Sequence, residues 1–330
     1  MIATLETRLG RELRRGRELE PIAPVSFYAK SMGGRLVVHL DADGRASDAE
    51  RSSRRVVDRI ERWAARLTRY TAESDLSALN ADPRLEVPVR PTLAAALRAG
   101  RSANEASEGL ADITLLDARL VAEGGADPSL ASTAIASREE EWLISPGRRG
   151  SAVVRRPPGL RFDLGGVGKG WIADRAVEML AVWPSAVIDA DGDLAIRCAP
   201  GRCWDVGVGD PRSPDADLAV LRLSAPAGGY PTRWGVATSG VSIHRWQVNG
   251  TLRHHLIDPR TGSPAETDVV QATVVAGSSL RAEALAKAAV IAGAVEGFAL
   301  LERARVRGAL ILTDRGEVLA LPSTLALLAG

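Results

Sequence analysis

Two periodicities of apolar residues organise the chain. The run RLVVHL, Arg35 to Leu40, reads as a strand closed by the turn-rich DADG. Within RVVDRIERWAARLTRY, Val56, Ile60, Trp63 and Leu67 recur every three or four residues. That spacing predicts a long helix with one face on a core. A second helix is expected from Thr92 to Glu108, behind a proline near its start. The middle changes texture: SAVVRR, WDVGVGD, LAVLRL and HRWQVNG alternate with Gly- and Pro-rich turns, as antiparallel strands do. VVQATVVA, from Val269, predicts a strong strand that leads through GSS into an alanine-rich helix, LRAEALAKAAVIAG. ALILTDRGEVLALP predicts a hairpin around its polar DRG turn. Without a repeat period or low-complexity linker, the pattern implies an α+β fold, its helices covering a largely antiparallel sheet.

Composition agrees with this reading and narrows the partners. With 330 residues, 45% of them hydrophobic and 25% charged, the chain can bury a sizeable core. A formal charge of +1 gives no global basic field, which argues against nucleic acid as a partner. Neither a signal-peptide core nor about 18 uninterrupted apolar residues occurs, so no membrane span and a cytoplasmic location are expected. The arginines between residues 8 and 17 fit a basic helix with a solvated face. Cys198 and Cys203 are too few for a disulfide framework, although their spacing permits a local bridge.

Two segments carry candidate chemistry. DLGGVGKG, Asp163 to Gly170, precedes an amphipathic helix marked by Ile172, Ala176, Val177 and Leu180. Glycines admit close approach of a ligand, amides at a helix start face an anion, and Lys169 adds a mobile charge, so the segment reads as a phosphate cradle. It is not a Walker loop, because Gly170 stands where Ser or Thr is needed and Asp163 where the first glycine is needed. A glycine-rich turn before a helix is also a common plain connection. In HHLIDPRTGSPAE, the adjacent His254 and His255 point to opposite faces of a strand, so at most one reaches a given site. The inward one is either a hydrogen-bonded core residue or a base or proton shuttle.

The strings MGG at Met32 to Gly34, RLTRYTAESDLSALN at Arg66 to Asn80, GLADITLLDARL at Gly109 to Leu120, DLGGVGKGWIADRA, ATSG, HHLIDPRTG and AEALAKA occur in this order. Together they resemble the ApbE family, the FAD:protein FMN transferases, over roughly residues 30 to 320. The resemblance implies a T-fold-like domain over 30–330 behind an amino-terminal helical extension, 1–29. It also implies FAD in a crevice, its pyrophosphate on the glycine segment with Mg²⁺ beside it. The implied reaction moves FMN from FAD to a Ser or Thr hydroxyl of an acceptor flavoprotein carrying a flavinylation motif, and AMP leaves. Carried over by position, Met32, Tyr70, Ala111, Asp112, Ile113, Asp163, Lys169 and Ile257 are expected to contact the flavin nucleotide. His255 is the expected base, and the Gly166 carbonyl and Glu283 are expected metal ligands. Met32 and Ile257 also fit a core, Tyr70 a helix-end aromatic, and Asp163 a cap on the turn amides.

The resemblance breaks at the metal. Where the family has Asp-Ala-x-x-Thr, this chain has Glu283-Ala284-Leu285-Ala286-Lys287. Glutamate lengthens the carboxylate arm, and a charged lysine has no lone pair with which to ligate a cation. If both side chains face the site, the Lys287 ammonium stands in the metal's place; an exposed i,i+4 ion pair is the alternative. Asp191 replaces a glycine in IDADGDL, and Val241-Ser242 follows ATSG in place of Asp-Tyr. IDADGDL is not an EF-hand loop, since Leu194 and Pro200 occupy the positions of the required glycine and glutamate. These departures leave two rivals to transfer: FAD binding without metal-dependent transfer, and slow FAD hydrolysis.

Overall fold

A computed structural model describes residues 20–127, 142–147, 151–242, 245–248 and 250–329. The basic helix expected between residues 8 and 17 lies outside the described residues. Eight strands form the main sheet: β1 (Val25–Ser31), β2 (Gly34–Leu40), β3 (Ala186–Ala190), β4 (Asp193–Cys198), β7 (Thr232–Gly240), β8 (Val269–Ala276), β9 (Gly308–Thr313) and β10 (Val318–Ala320). Between β4 and β7 the chain leaves the sheet as a ribbon of β5 (Arg202–Asp210) and β6 (Ser213–Ser224). The spatial order β10-β9-β8-β7-β4-β3-β2-β1 follows the chain, and every neighbouring pair is antiparallel. The α+β expectation is therefore met. The domain boundary expected at residue 30 falls inside β1, and Glu20–Pro21 is already strand, paired with β5.

Both faces of the central strands are covered, as their near-continuous apolar sequences require. On one face pack α1 (Ala46–Leu67), α2 (Pro91–Ala106), α4 (Gly168–Glu178), α5 (Ser279–Ala292) and α6 (Ala294–Arg303), while the short α3 (Leu116–Ala122) lies beside the crevice described below. Leu36, Val38, Ile188, Ala237 and Val274 point into that layer. Their neighbours Val187, Val236 and Val275 point the other way, against Trp204, Leu221 and Leu223 of the ribbon. Cys198 and Cys203 are buried free thiols, so the local bridge that their spacing permits is absent, and burial pushes the Cys198 thiol up to about 12. Among the described residues no helix is long and apolar enough to cross a membrane.

Helix α5 is the central pillar, and the backbone of α4 comes close to it. A Cβ on Gly170 of α4 would meet Leu280 N and the Ser279 carbonyl carbon, each at 2.8 Å. The two helices are locked by Asp174, whose carboxylate accepts from the amides of Ser279 (2.8 Å) and Leu280 (3.0 Å) at the start of α5. Ser278 completes that cap by accepting from Arg281 N at 3.3 Å. The start of α4 is thereby held in register with Glu283 and Lys287, one turn apart on α5.

Candidate functional site

Three separate chain segments and two helices meet in a narrow crevice. Residues 110–113 come from the loop after α2, Asp163, Gly166 and Val167 from the turn before α4, and His255, Leu256 and Ile257 from the segment before the Asp-Pro turn. Arg119 of α3 and Lys287 of α5 complete the wall. Of the residues singled out in the sequence, Ala111, Asp112, Ile113, Asp163, Gly166, His255, Ile257 and Lys287 are brought together here. Met32, Tyr70, Lys169 and Glu283 do not line this crevice.

Each absent residue has a definite place. Met32 sits in the two-residue turn of the β1–β2 hairpin with φ 54°, followed by Gly33 at φ 81°, and packs against the core. Two positive φ values are what such a hairpin turn demands, and a bulky side chain there is unusual. The β3–β4 turn repeats the geometry with Asp191 (φ 60°) and Gly192 (φ 92°), which accounts physically for Asp191, since Asp tolerates this region. Tyr70 is 77% exposed, with the Arg69 guanidinium 4.4 Å over its ring. Arg69 also approaches Asp163 (3.7 Å) and bonds Glu123 (2.6 Å), which ties the aromatic to the crevice rim.

The glycine turn is partly satisfied by the protein itself. Gly165 N donates to Asp163 Oδ1 (2.8 Å), Gly168 N to Leu164 O (2.7 Å) and Gly170 N to Glu283 Oε2 (2.9 Å). The cap role for Asp163 is therefore real, whatever else it does. Among the described residues the Gly166 and Lys169 amides have no such partner; of the two, Gly166 lines the crevice and is the donor left for a ligand there. The Lys169 ammonium pairs with buried Asp193 at 2.7 Å. Burial alone would lower the Lys169 pKa, but Asp193 and Glu283 raise it; for Asp193, burial outweighs the lysines and raises its pKa.

The two histidines divide as the strand geometry requires. His254 faces away from the crevice: its Nε2 meets Ala265 O at 2.9 Å while Leu256 N donates to its Nδ1 at 3.3 Å, which fixes a neutral ring protonated on Nε2. His255 lines the crevice, and its backbone oxygen accepts from Arg119 Nη1 at 2.9 Å. Arg119, Arg69 and Asp193 were not expected from the sequence. Their only signals were the DARL string, an arginine beside Tyr70 and the loop that mimics a calcium site.

The residues present do not fit a Mg²⁺ ion. Glu283 is only 4% exposed and spends its carboxylate on the Gly170 amide. The Lys287 Nζ lies so close to Gly166 that a side chain on that glycine would collide with it. Mg²⁺ asks for near-octahedral oxygen ligands, and among the described residues no group of three His, Cys, Asp or Glu side chains is arranged to hold a metal.

A larger cavity, about 560 Å³, opens on the opposite face of the sheet beside β5. Most of its polar side chains are already paired with protein, Arg35 with Asp189 (2.9 Å), His39 with Ser26 (2.8 Å), Thr238 with Thr273 (2.8 Å) and Gln271 with Gly209 O (3.0 Å), while the buried Trp204 indole N–H has no partner among the described residues. The crevice, with the open Gly166 amide and the Lys287 cation, is the better site despite its smaller size.

The fold is shared with solved structures of flavin transferases. The ApbE protein of Thermotoga maritima superposes with a TM-score of 0.78 at 21% identity, covering 93% of this chain and all of that one. The apo form of Pseudomonas stutzeri flavinyl transferase ApbE gives 0.75 at 22%, covering 95% and 100%. The chain belongs to the ApbE family, which it matches over residues 32–311. It is 31% identical over 185 residues to the FAD:protein FMN transferase of Treponema pallidum, 49% of each chain. To that of Haemophilus influenzae it is 23% identical over 319 residues, 89% of this chain and 88% of the relative. The chain spans about half the length of the relatives from Treponema pallidum and Klebsiella pneumoniae, 49% and 50%.

Proposed function

We propose that this chain is an FAD:protein FMN transferase. The observation that carries the reading is the convergence of residues 111–113, the 163–167 turn with its open Gly166 amide, and His255 on one crevice. The acceptor's Ser or Thr oxygen attacks the phosphorus of the FMN half of FAD, the bridging P–O bond breaks, and AMP leaves with the bridging oxygen. His255 takes the hydroxyl proton. The Gly166 amide and the Lys287 ammonium receive the charge that grows on the dividing pyrophosphate. Tyr70 offers an exposed ring at the rim for the isoalloxazine, and Asp163 orders the turn.

The misfit at Glu283 and Lys287 favours a second reading, an FAD-binding protein without transfer. Incubation with FAD and an acceptor domain bearing the flavinylation motif separates the two. Covalent flavin fluorescence on the acceptor in a denaturing gel, lost in His255→Ala, supports transfer. Tight FAD binding with an acceptor that stays dark, with and without Mg²⁺, supports the second reading and overturns the first.

A further inference from the structure

The Lys287 ammonium lacks a counter-ion of its own. It lines the crevice against Gly166, yet among the described residues no carboxylate stands within ion-pair distance of it. Its neighbour in the same cluster is treated differently, since Lys169 is closed by Asp193 at 2.7 Å. Glu283, one turn before Lys287, is turned to Gly170 N instead. Asp163, Glu283 and Asp193 act on Lys287 favourably from further off, Arg119 unfavourably, and burial pushes its pKa down. Arg119 is no substitute cation, because its Nη1 is engaged by His255 O and its Nε by Glu123. A sequestered ammonium without a partner is costly, so its position beside the open Gly166 amide points to an anion that arrives with the ligand.

We propose that Lys287 is the resident cation of the crevice, binding the pyrophosphate of FAD directly, so that FAD is held without a divalent metal. The inference rests on FAD being the ligand. One fixed ammonium and the Gly166 amide supply the positive field that a bound ion would otherwise supply. Coupling of that charge to α5 makes the site insensitive to chelators.

The test is FAD affinity of the full chain, measured by flavin fluorescence after dialysis against EDTA and again in excess Mg²⁺. The two dissociation constants are expected to agree within about twofold, and Lys287→Met, which keeps the length and removes the charge, to weaken FAD by about tenfold or more. Riboflavin, which has no phosphate, is expected to bind both forms equally. A tenfold gain in wild-type affinity on adding Mg²⁺ overturns the inference without needing any variant. So does a folded Lys287→Met protein that binds FAD as the wild type does. If the wild type binds FAD in neither buffer, the proposed function itself fails.

Discussion

Glu283 Oε2 accepts the Gly170 amide at 2.9 Å, closing the middle of α5 onto the first turn of α4. A carboxylate in the position expected of a metal ligand is here a bond between two helices. Burial and then Asp193 push the Glu283 pKa up to about 8, against the pull of Lys287, Lys169 and the Gly170 amide. What the sequence presents as a weakened metal motif is, in the fold, a structural acid and a free ammonium on the same helix face.

Glu283→Ala is expected to destabilise the protein by about 1–3 kcal/mol, because it leaves the buried Gly170 N–H unpaired. Glu283→Gln keeps an acceptor oxygen and should lose less. Urea denaturation monitored by tryptophan fluorescence checks the order; equal stability of Ala and wild type contradicts the assigned bond.

Lys169 and Lys287 should fail in different ways. Lys169→Met strands Asp193 as an uncompensated buried charge and is expected to cost about 3–5 kcal/mol. Lys287→Met strands no paired acid, so thermal melts should separate the two variants by many degrees. The Lys169 pKa is raised above its ordinary 10.5, so its share of stability is full below that value and is lost as pH rises through the folded one.

Much of this arrangement is written in local pattern. Val56, Ile60, Trp63 and Leu67 lie on α1, and the strand read from Val269 has the bounds of β8. The glycine turn before α4 and the exclusion of one histidine also follow from short-range rules, whereas for Lys287 local spacing equally allows an exposed ion pair with Glu283, and packing of α5 decides for the inward face. Strand β1 escaped because it is an edge with a mixed burial pattern and no clean alternation. The Lys169–Asp193 pair and the Asp174 cap escaped because their partners are separated in sequence and meet only through tertiary packing. The Glu283–Gly170 bond, 113 residues apart, is of the same kind.

The neutral His254 ring sets an acid limit. Burial lowers its pKa below the ordinary 6.5, so its contribution to stability is present above that pH and lost as pH falls through the folded value. Protonation would set an Nδ1–H against the Leu256 amide that now donates to it. Between pH 7 and 5 the wild type should lose more stability than His254→Gln; parallel curves for the two proteins would refute the assigned tautomer.

Intact-mass spectrometry of an acceptor domain, incubated with the full chain and FAD in EDTA, tests the central claim most directly. The account predicts a mass increase of one FMN less one water on the acceptor, one AMP released per adduct, and no adduct when the acceptor Ser or Thr is changed to Ala. An unmodified acceptor in EDTA that becomes modified only when Mg²⁺ is added would contradict the metal-free site. No adduct under either condition would contradict transfer altogether.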